Sequence, residues 1–239
     1  MVDLIKYNDP LEHFVGKYTF GVELISRIYS GNKYTAVLLK NGNIGVCANF
    51  GEKINPDPIL YKEPDLSLIS HRIVLVAYFN ATLNYLNHKE DGDIFELVRF
   101  QKYQRIVMLG YFGSLSRKFE KEKINIKIFD PRLKDDSTRL ESEKALYLKS
   151  ADGLILTSTS IFNGTFYDVI SAIRDQCDVF MLGPSSIMSN DLFEYDNIKL
   201  ICGTTFDRFC FRVLDIIQQG GGTRDFMRYE NKKVLTRTD

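Results

Sequence analysis

The stretch LILTSTSIFNGTF, residues 154–166, begins as an apolar strand and then sets Thr157, Ser158, Thr159 and Ser160 in a row before Asn163, Gly164 and Thr165. Hydroxyl groups both donate and accept hydrogen bonds, and the unpaired N–H groups of a helix start favour anionic oxygens. Other expected strand ends have the same makeup: Gly110-Tyr111-Phe112-Gly113-Ser114, Asp130-Pro131-Arg132, Gly183-Pro184-Ser185-Ser186 and Gly203-Thr204-Thr205. Glycine in such a place lets backbone approach a ligand closely. The rim suits a small polar or anionic ligand. Its candidate contacts are Gly110, Tyr111, Phe112, Asp130, Thr157, Ser158, Thr159, Asn163, Gly164, Thr165, Gly183, Pro184, Ser185 and Ser186, with Asn80 reaching in from the first half of the chain. A purely structural reading stands beside this one, because Thr165 with Asp168 has the spacing of a capping box and Ser185 or Thr204 could cap their own helices. Five small-polar ends in register favour a shared cleft.

The chemistry available at that rim is narrow. Asp130 lies twenty positions after Gly110, where nucleoside-binding folds carry an acid for the ribose hydroxyls. The segment GYFGSL departs from G-x-G-x-x-G, and Tyr111 and Phe112 fill positions where a pyrophosphate needs bare backbone, so a nucleoside-like or aromatic ligand stacked on these rings fits better than ordinary NAD binding. No histidine follows His88, so general acid or base chemistry has to draw on Asp130, Asp168, Tyr111, or on Glu12, His13 and Glu23 from the first half. The three histidines and four cysteines show no metal-ligand spacing. Cys47, Cys177, Cys202 and Cys210 sit in or beside apolar segments and are expected as buried thiols. No protein-built metal site, no catalytic residue and no cofactor is assigned, and whether the protein is an enzyme stays open.

Two kinds of element must position these residues. In the first half, YTAVLLKNGNIGVCANF (34–50) holds two β-rich runs around Asn41-Gly42-Asn43, a hairpin signal. LISHRIVLVAYFNATLNYLN (68–87) is apolar on nearly every side and reads as a helix sandwiched between layers, although Ile73 to Val76 would also permit a strand. Asn80 and Asn84 share one face of it and either bridge neighbouring backbone groups or face a ligand. The polar segment HKEDGD (88–93) is the expected boundary, with Asp93 and Glu96 spaced to start a helix.

After it the rhythm becomes βαβ. Apolar runs at 105–110, 124–130, 153–158, 178–183 and 198–203 alternate with helical patterns around 114–122, 140–149, 165–175 and 188–194, which indicates a parallel sheet covered on both faces. Phe206, Phe209, Cys210, Val213, Leu214 and Ile217 form the stripe of a last long helix stopped by Gly220-Gly221-Gly222, and KKVLT (232–236) is expected as an edge strand. The expected division is residues 1–92 and 93–239.

The chain has 239 residues, 44% of them hydrophobic, enough for a sizeable core. Its formal net charge is zero, so it lacks the basic field that nucleic acid binding uses. The opening MVDLIKYNDPLEHF does not read as a signal peptide, and the apolar runs are far shorter than a membrane span. A cytoplasmic protein without nucleic acid or membrane partners is expected, and a homodimer stays open as an assembly.

MLGYFGSL, ADGLILTSTSIFNGTF, VFMLGPSSIM and GGGT together resemble the C-terminal domain of the heavy-metal chelation family, a domain of unknown function (DUF364), over about 140 residues. The resemblance implies a Rossmann-like domain preceded by a domain of the DUF4213 type, similar to the enolase N-terminal fold, with a cleft between the two. It implies a role around a metal-chelating or pterin-, flavin- or siderophore-like compound, with any metal arriving on an organic chelator. The alternatives are a nucleoside-cofactor enzyme, such as an S-adenosylmethionine-dependent methyltransferase, and a non-catalytic sensor or carrier of a metal chelate. Ser158 stands where the family commonly has Gly, and Ile187-Met188 where a Pro often follows.

Overall fold

The computed structural model describes residues 9–86, 90–131 and 137–237. Its first part runs α1 (Pro10–Lys17), β1 (Ile25–Ser30), β2 (Tyr34–Leu39), β3 (Ile44–Ala48) and α2 (Ile69–Leu83). The three strands form one antiparallel sheet in the order β1-β2-β3. Between β2 and β3 the Asn-Gly turn forms as its residues demand: Gly42 has φ 90°, and the Asn43 N–H donates to Asn41 Oδ1 at 3.0 Å.

Helix α2 is buried on every side from Arg72 to Ala81, as its all-round apolar pattern requires. It lies directly on β3. A Cβ added at Gly45 would sit 2.0 Å from Ala77 O and 2.3 Å from Ala81 N, so only a residue without a side chain admits this approach.

The second part runs β4 (Glu90–Asp91), α3 (Ile94–Leu97), β5 (Ile106–Leu109), α4 (Gly113–Lys121), β6 (Ile126–Phe129), α5 (Ser137–Ser150), β7 (Gly153–Thr157), α6 (Thr159–Phe162), α7 (Phe166–Ala172), β8 (Asp178–Leu182), β9 (Ile198–Phe206), α8 (Phe211–Gln218), α9 (Thr223–Phe226) and β10 (Glu230–Thr236). These strands make a second sheet in the order β4-β10-β9-β8-β7-β5-β6, in which β6, β5, β7, β8 and β9 are parallel neighbours. Strand side chains alternate between faces, and here both faces are covered. Ile106, Met108, Ile155 and Phe180 pack with Leu115 and Phe119 of α4, while Val107, Leu154, Val179 and Met181 belong to the core that includes α2 and Leu148 of α5. The mixed α/β class and mainly parallel sheet follow from this double burial.

Four expectations on element limits are corrected. Gly203-Thr204-Thr205 is no strand end: β9 continues to Phe206 because β10 pairs with it there, Gly203 opposite Lys233 and Thr205 opposite Asn231. For the same reason KKVLT is interior rather than an edge, with β4 covering its far side. The helix expected at 188–194 shrinks to a 3-10 helix, Asn190–Glu194, because the Met188 N–H is drawn to Asn84 Oδ1 at 2.8 Å. The last long helix starts late: Phe206 closes β9 and Phe209 turns left-handed at φ 56°. Val213, Leu214 and Ile217 keep the predicted stripe, but it packs on Ala36, Leu38 and Val46 of the small sheet. Asp93 starts α3 as expected, accepting the Phe95 N–H at 3.0 Å, whereas His88 and Lys89 lie outside the described residues. Among the described residues no helix is long and apolar enough to cross a membrane.

Candidate functional site at the strand ends

Numbered from β5, the parallel strands run 2-1-3-4-5. In such sheets the crevice between the first and third strands, where connections leave toward opposite sides, is where ligands bind. Gly110 ends β5 at that point with φ 92°, and a Cβ there would lie 2.9 Å from the Thr157 Cβ at the end of β7. The backbone turns sharply enough that the Tyr111 N–H donates to Asp130 Oδ2 at 2.6 Å, across the ends of β5 and β6. Asp130 is 3% exposed, while the Tyr111 ring is 42% exposed beside it. The hydroxyls of Thr157 and Thr159 lie 3.0 Å apart, and both residues are half-buried.

Asn163, Gly164 and Thr165 stand on the surface. Asn163 Oδ1 accepts both the Thr165 N–H, at 3.1 Å, and its hydroxyl, at 2.8 Å. The Thr165 hydroxyl therefore serves Asn163 and makes no cap to α7, so the capping box with Asp168 does not form. Ser185 caps no helix either, and Thr204 lies inside β9.

Ser158, Ser185 and Asn80 are buried and bind backbone. Ser158 Oγ donates to Leu182 O at 2.7 Å, which binds the end of β7 to that of β8. Ser185 Oγ accepts the Ala48 N–H at 2.9 Å, joining the Gly183-Pro184-Ser185-Ser186 loop to the end of β3. Asn80 Nδ2 donates to Val46 O at 2.8 Å and Pro184 O at 3.2 Å. Asn84 Nδ2 donates to Ser186 O at 2.9 Å. Asn80 thus bridges the small sheet and the loop after β8, and Asn84 ties α2 to the same loop, both through main-chain groups. Among the described residues Asn80 Oδ1 and Ser186 Oγ are buried acceptors without a hydrogen-bond partner, a costly state inside a protein. Gly183 and Pro184 are half-buried in the same loop, and Phe112 leads into α4.

Two residues of the first half reach this region without having been singled out. Phe50 follows β3 with φ 51°, is 66% exposed, and holds its ring 5.4 Å from that of Phe162 in α6. A left-handed aromatic residue is strained and marks a position held by its surroundings; here Asn49 fixes the loop through Gly31 O at 2.7 Å and the Gly51 N–H at 3.2 Å. Arg72 donates to Phe162 O and Ile161 O, each at 2.6 Å, and pairs with Asp9. It thereby satisfies the carbonyls that end α6. The sequence signal for it was a cation opening the apolar run RIVLVAYF.

The cysteines offer no nucleophile in this region. All four are free; burial pushes the thiols of Cys177 and Cys202 up to about 12 and also raises that of Cys47. Among the described residues the side chains that converge with metal-ligating atoms are His13, Asp191 and Glu194, and none of them belongs to the strand-end rim.

Residues 93–236 match the family model DUF364, described as "Putative heavy-metal chelation". A crystal structure of a DUF364 protein of unknown function from Desulfitobacterium hafniense DCB-2 superimposes with a TM-score of 0.75 at 15% identity, over 95% of this chain and 97% of that one. One from Pyrococcus horikoshii, also of unknown function, gives 0.72 at 20% identity, over 88% and 93%. At these identities the likeness is one of fold. No curated protein matches the chain.

Proposed function

The chain belongs to the DUF364 family, and on that premise we propose that it binds a small polar or anionic ligand, of the metal-chelate or pterin-, flavin- or siderophore-like kind, at the carboxyl ends of β5 to β8. In this reading residues 1–92 act as an enolase-N-terminal-like lobe of the DUF4213 type and residues 93–239 as a Rossmann-like lobe. The separate three-stranded sheet with α2 lying on it, and the 2-1-3-4-5 strand order, support that division. The observation that carries the function is the left-handed Gly110 and the exposed Tyr111 ring at one switch point, with the junction to the small sheet, through Ser185 and Ala48, two strands away beyond the end of β8.

Exposed flat rings at Tyr111 and Phe50 suit a planar ligand, since aromatic faces stack. Thr157, Thr159 and the surface turn at Asn163 to Thr165 supply hydroxyl and amide groups for its polar edge. Asp130, by contrast, is nearly inaccessible and committed to the Tyr111 N–H, which favours this reading over a nucleoside cofactor held by its ribose.

Native mass spectrometry of freshly purified protein tests the proposal by looking for a co-purifying organic compound. Thermal-shift screening of flavins, pterins and ferric chelates beside S-adenosylmethionine, NAD and ATP then ranks the classes, because a ligand bound only to the folded state raises its stability. A shift with a planar chelating compound that Tyr111→Ala and Asn163→Leu remove is the expected result. A shift with a nucleoside compound alone would favour the cofactor alternative, and a shift untouched by both variants would move the site elsewhere.

A further inference from the structure

Helix α1 and the 3-10 helix that follows β8 place two pairs of side chains against each other. His13 and Lys17 are four apart and share one face of α1. Asp191 and Glu194 are three apart on a helix of three residues per turn, so their side chains lie one above the other. His13 Nε2 contacts Asp191 Oδ2 at 2.9 Å, and Lys17 Nζ donates to Asp191 Oδ1 at 2.7 Å. One ligand atom each from His13, Asp191 and Glu194 falls within 4.8 Å of the others. A small depression opens beside them, walled by Pro10, Phe14, Leu192 and Tyr195.

We propose that His13, Asp191 and Glu194 bind one divalent transition-metal ion, of the zinc, cobalt or nickel class. This site goes beyond the strand-end ligand and shares no residue with it. One imidazole nitrogen and two carboxylate oxygens are a donor set that zinc and its neighbours accept, with coordination positions left for water or a chelating molecule. Calcium, which takes six to eight oxygens, is poorly served by it. Lys17 binds Oδ1 of Asp191, Tyr18 also reaches this carboxylate, and Oδ2 faces the imidazole. The 3-10 helix is itself anchored at its start, where Ser189 Oγ accepts the Asp191 N–H at 3.3 Å and meets Tyr18 OH at 3.4 Å. Supporting contacts of this kind hold metal ligands in place. His13 and Asp191 are 178 positions apart, so no spacing in the sequence displays the set.

Cobalt(II) titration of the chelator-treated full chain, followed by visible absorption and calorimetry, tests the site. One equivalent should bind with a spectrum of nitrogen and oxygen ligation, and His13→Gln and Glu194→Gln should each weaken binding about tenfold or more. Asn163→Leu should leave it unchanged, which separates this site from the strand-end proposal. Glu194 is exposed, so Glu194→Gln carries the test even where His13→Gln fails to fold. Absence of binding, a thiolate-to-cobalt charge-transfer band, or unaltered affinity in Glu194→Gln would overturn the proposal.

Discussion

The junction between the two sheets and the rim at the strand ends draw on the same residue types, Ser, Thr, Asn and Gly, and use them in opposite ways. At the junction Asn80 and Ser185, and beside it Asn84 and Ser158, are buried and bound to main-chain groups. On the rim the Asn163 side chain accepts the Thr165 N–H and hydroxyl on the surface, and Tyr111 exposes its ring. Burial decides the role. A polar atom removed from water must find a partner, and backbone is the partner at hand, whereas an exposed one can exchange water for a ligand at little cost.

Substitutions should separate the two regions sharply. The largest effect belongs to Arg72→Leu, which strips two carbonyls and Asp9 of a buried cation and should cost about 3–5 kcal/mol in denaturant unfolding. Asn84→Leu leaves the Met188 N–H and Ser186 O unpaired in the interior, for roughly 2–4 kcal/mol by the same measurement. Ser185→Ala orphans the Ala48 N–H and should cost about 1–2 kcal/mol. Asn163→Leu and Tyr111→Ala should change stability by less than ~0.5 kcal/mol, while ligand affinity falls about tenfold. If Asn163→Leu instead unfolds the protein and spares affinity, the contrast between the regions collapses. The smallest effect is chemical: with thiols held at about 12 by burial, Cys177 and Cys202 should resist alkylation at pH 8 in the native protein and react in denaturant.

The strand-end segments were legible because each strand is a short apolar run closed by a Gly or a hydroxyl, a local pattern that needs no knowledge of neighbours. Their separation into bound and free was not. Ser158 and Thr159 look alike in sequence, yet one faces Leu182 O in the interior and the other stands half-open beside Thr157. Gly203-Thr204-Thr205 looked like a fifth end because composition is blind to β10, which arrives from far along the chain and prolongs β9. Phe50 escaped notice because its strain and exposure are properties of a loop fixed by Asn49, not of the residue type.

By itself the sequence determined the alternation of buried strands and helices, the Asn-Gly hairpin and the fully buried α2, since these follow from periodicity and backbone preference within a few residues. Only the tertiary structure decided which polar groups face inward, where α8 docks, and that His13 meets Asp191 and Glu194. Those outcomes depend on contacts between segments from about twenty to nearly two hundred positions apart, and local chemistry does not encode such distances.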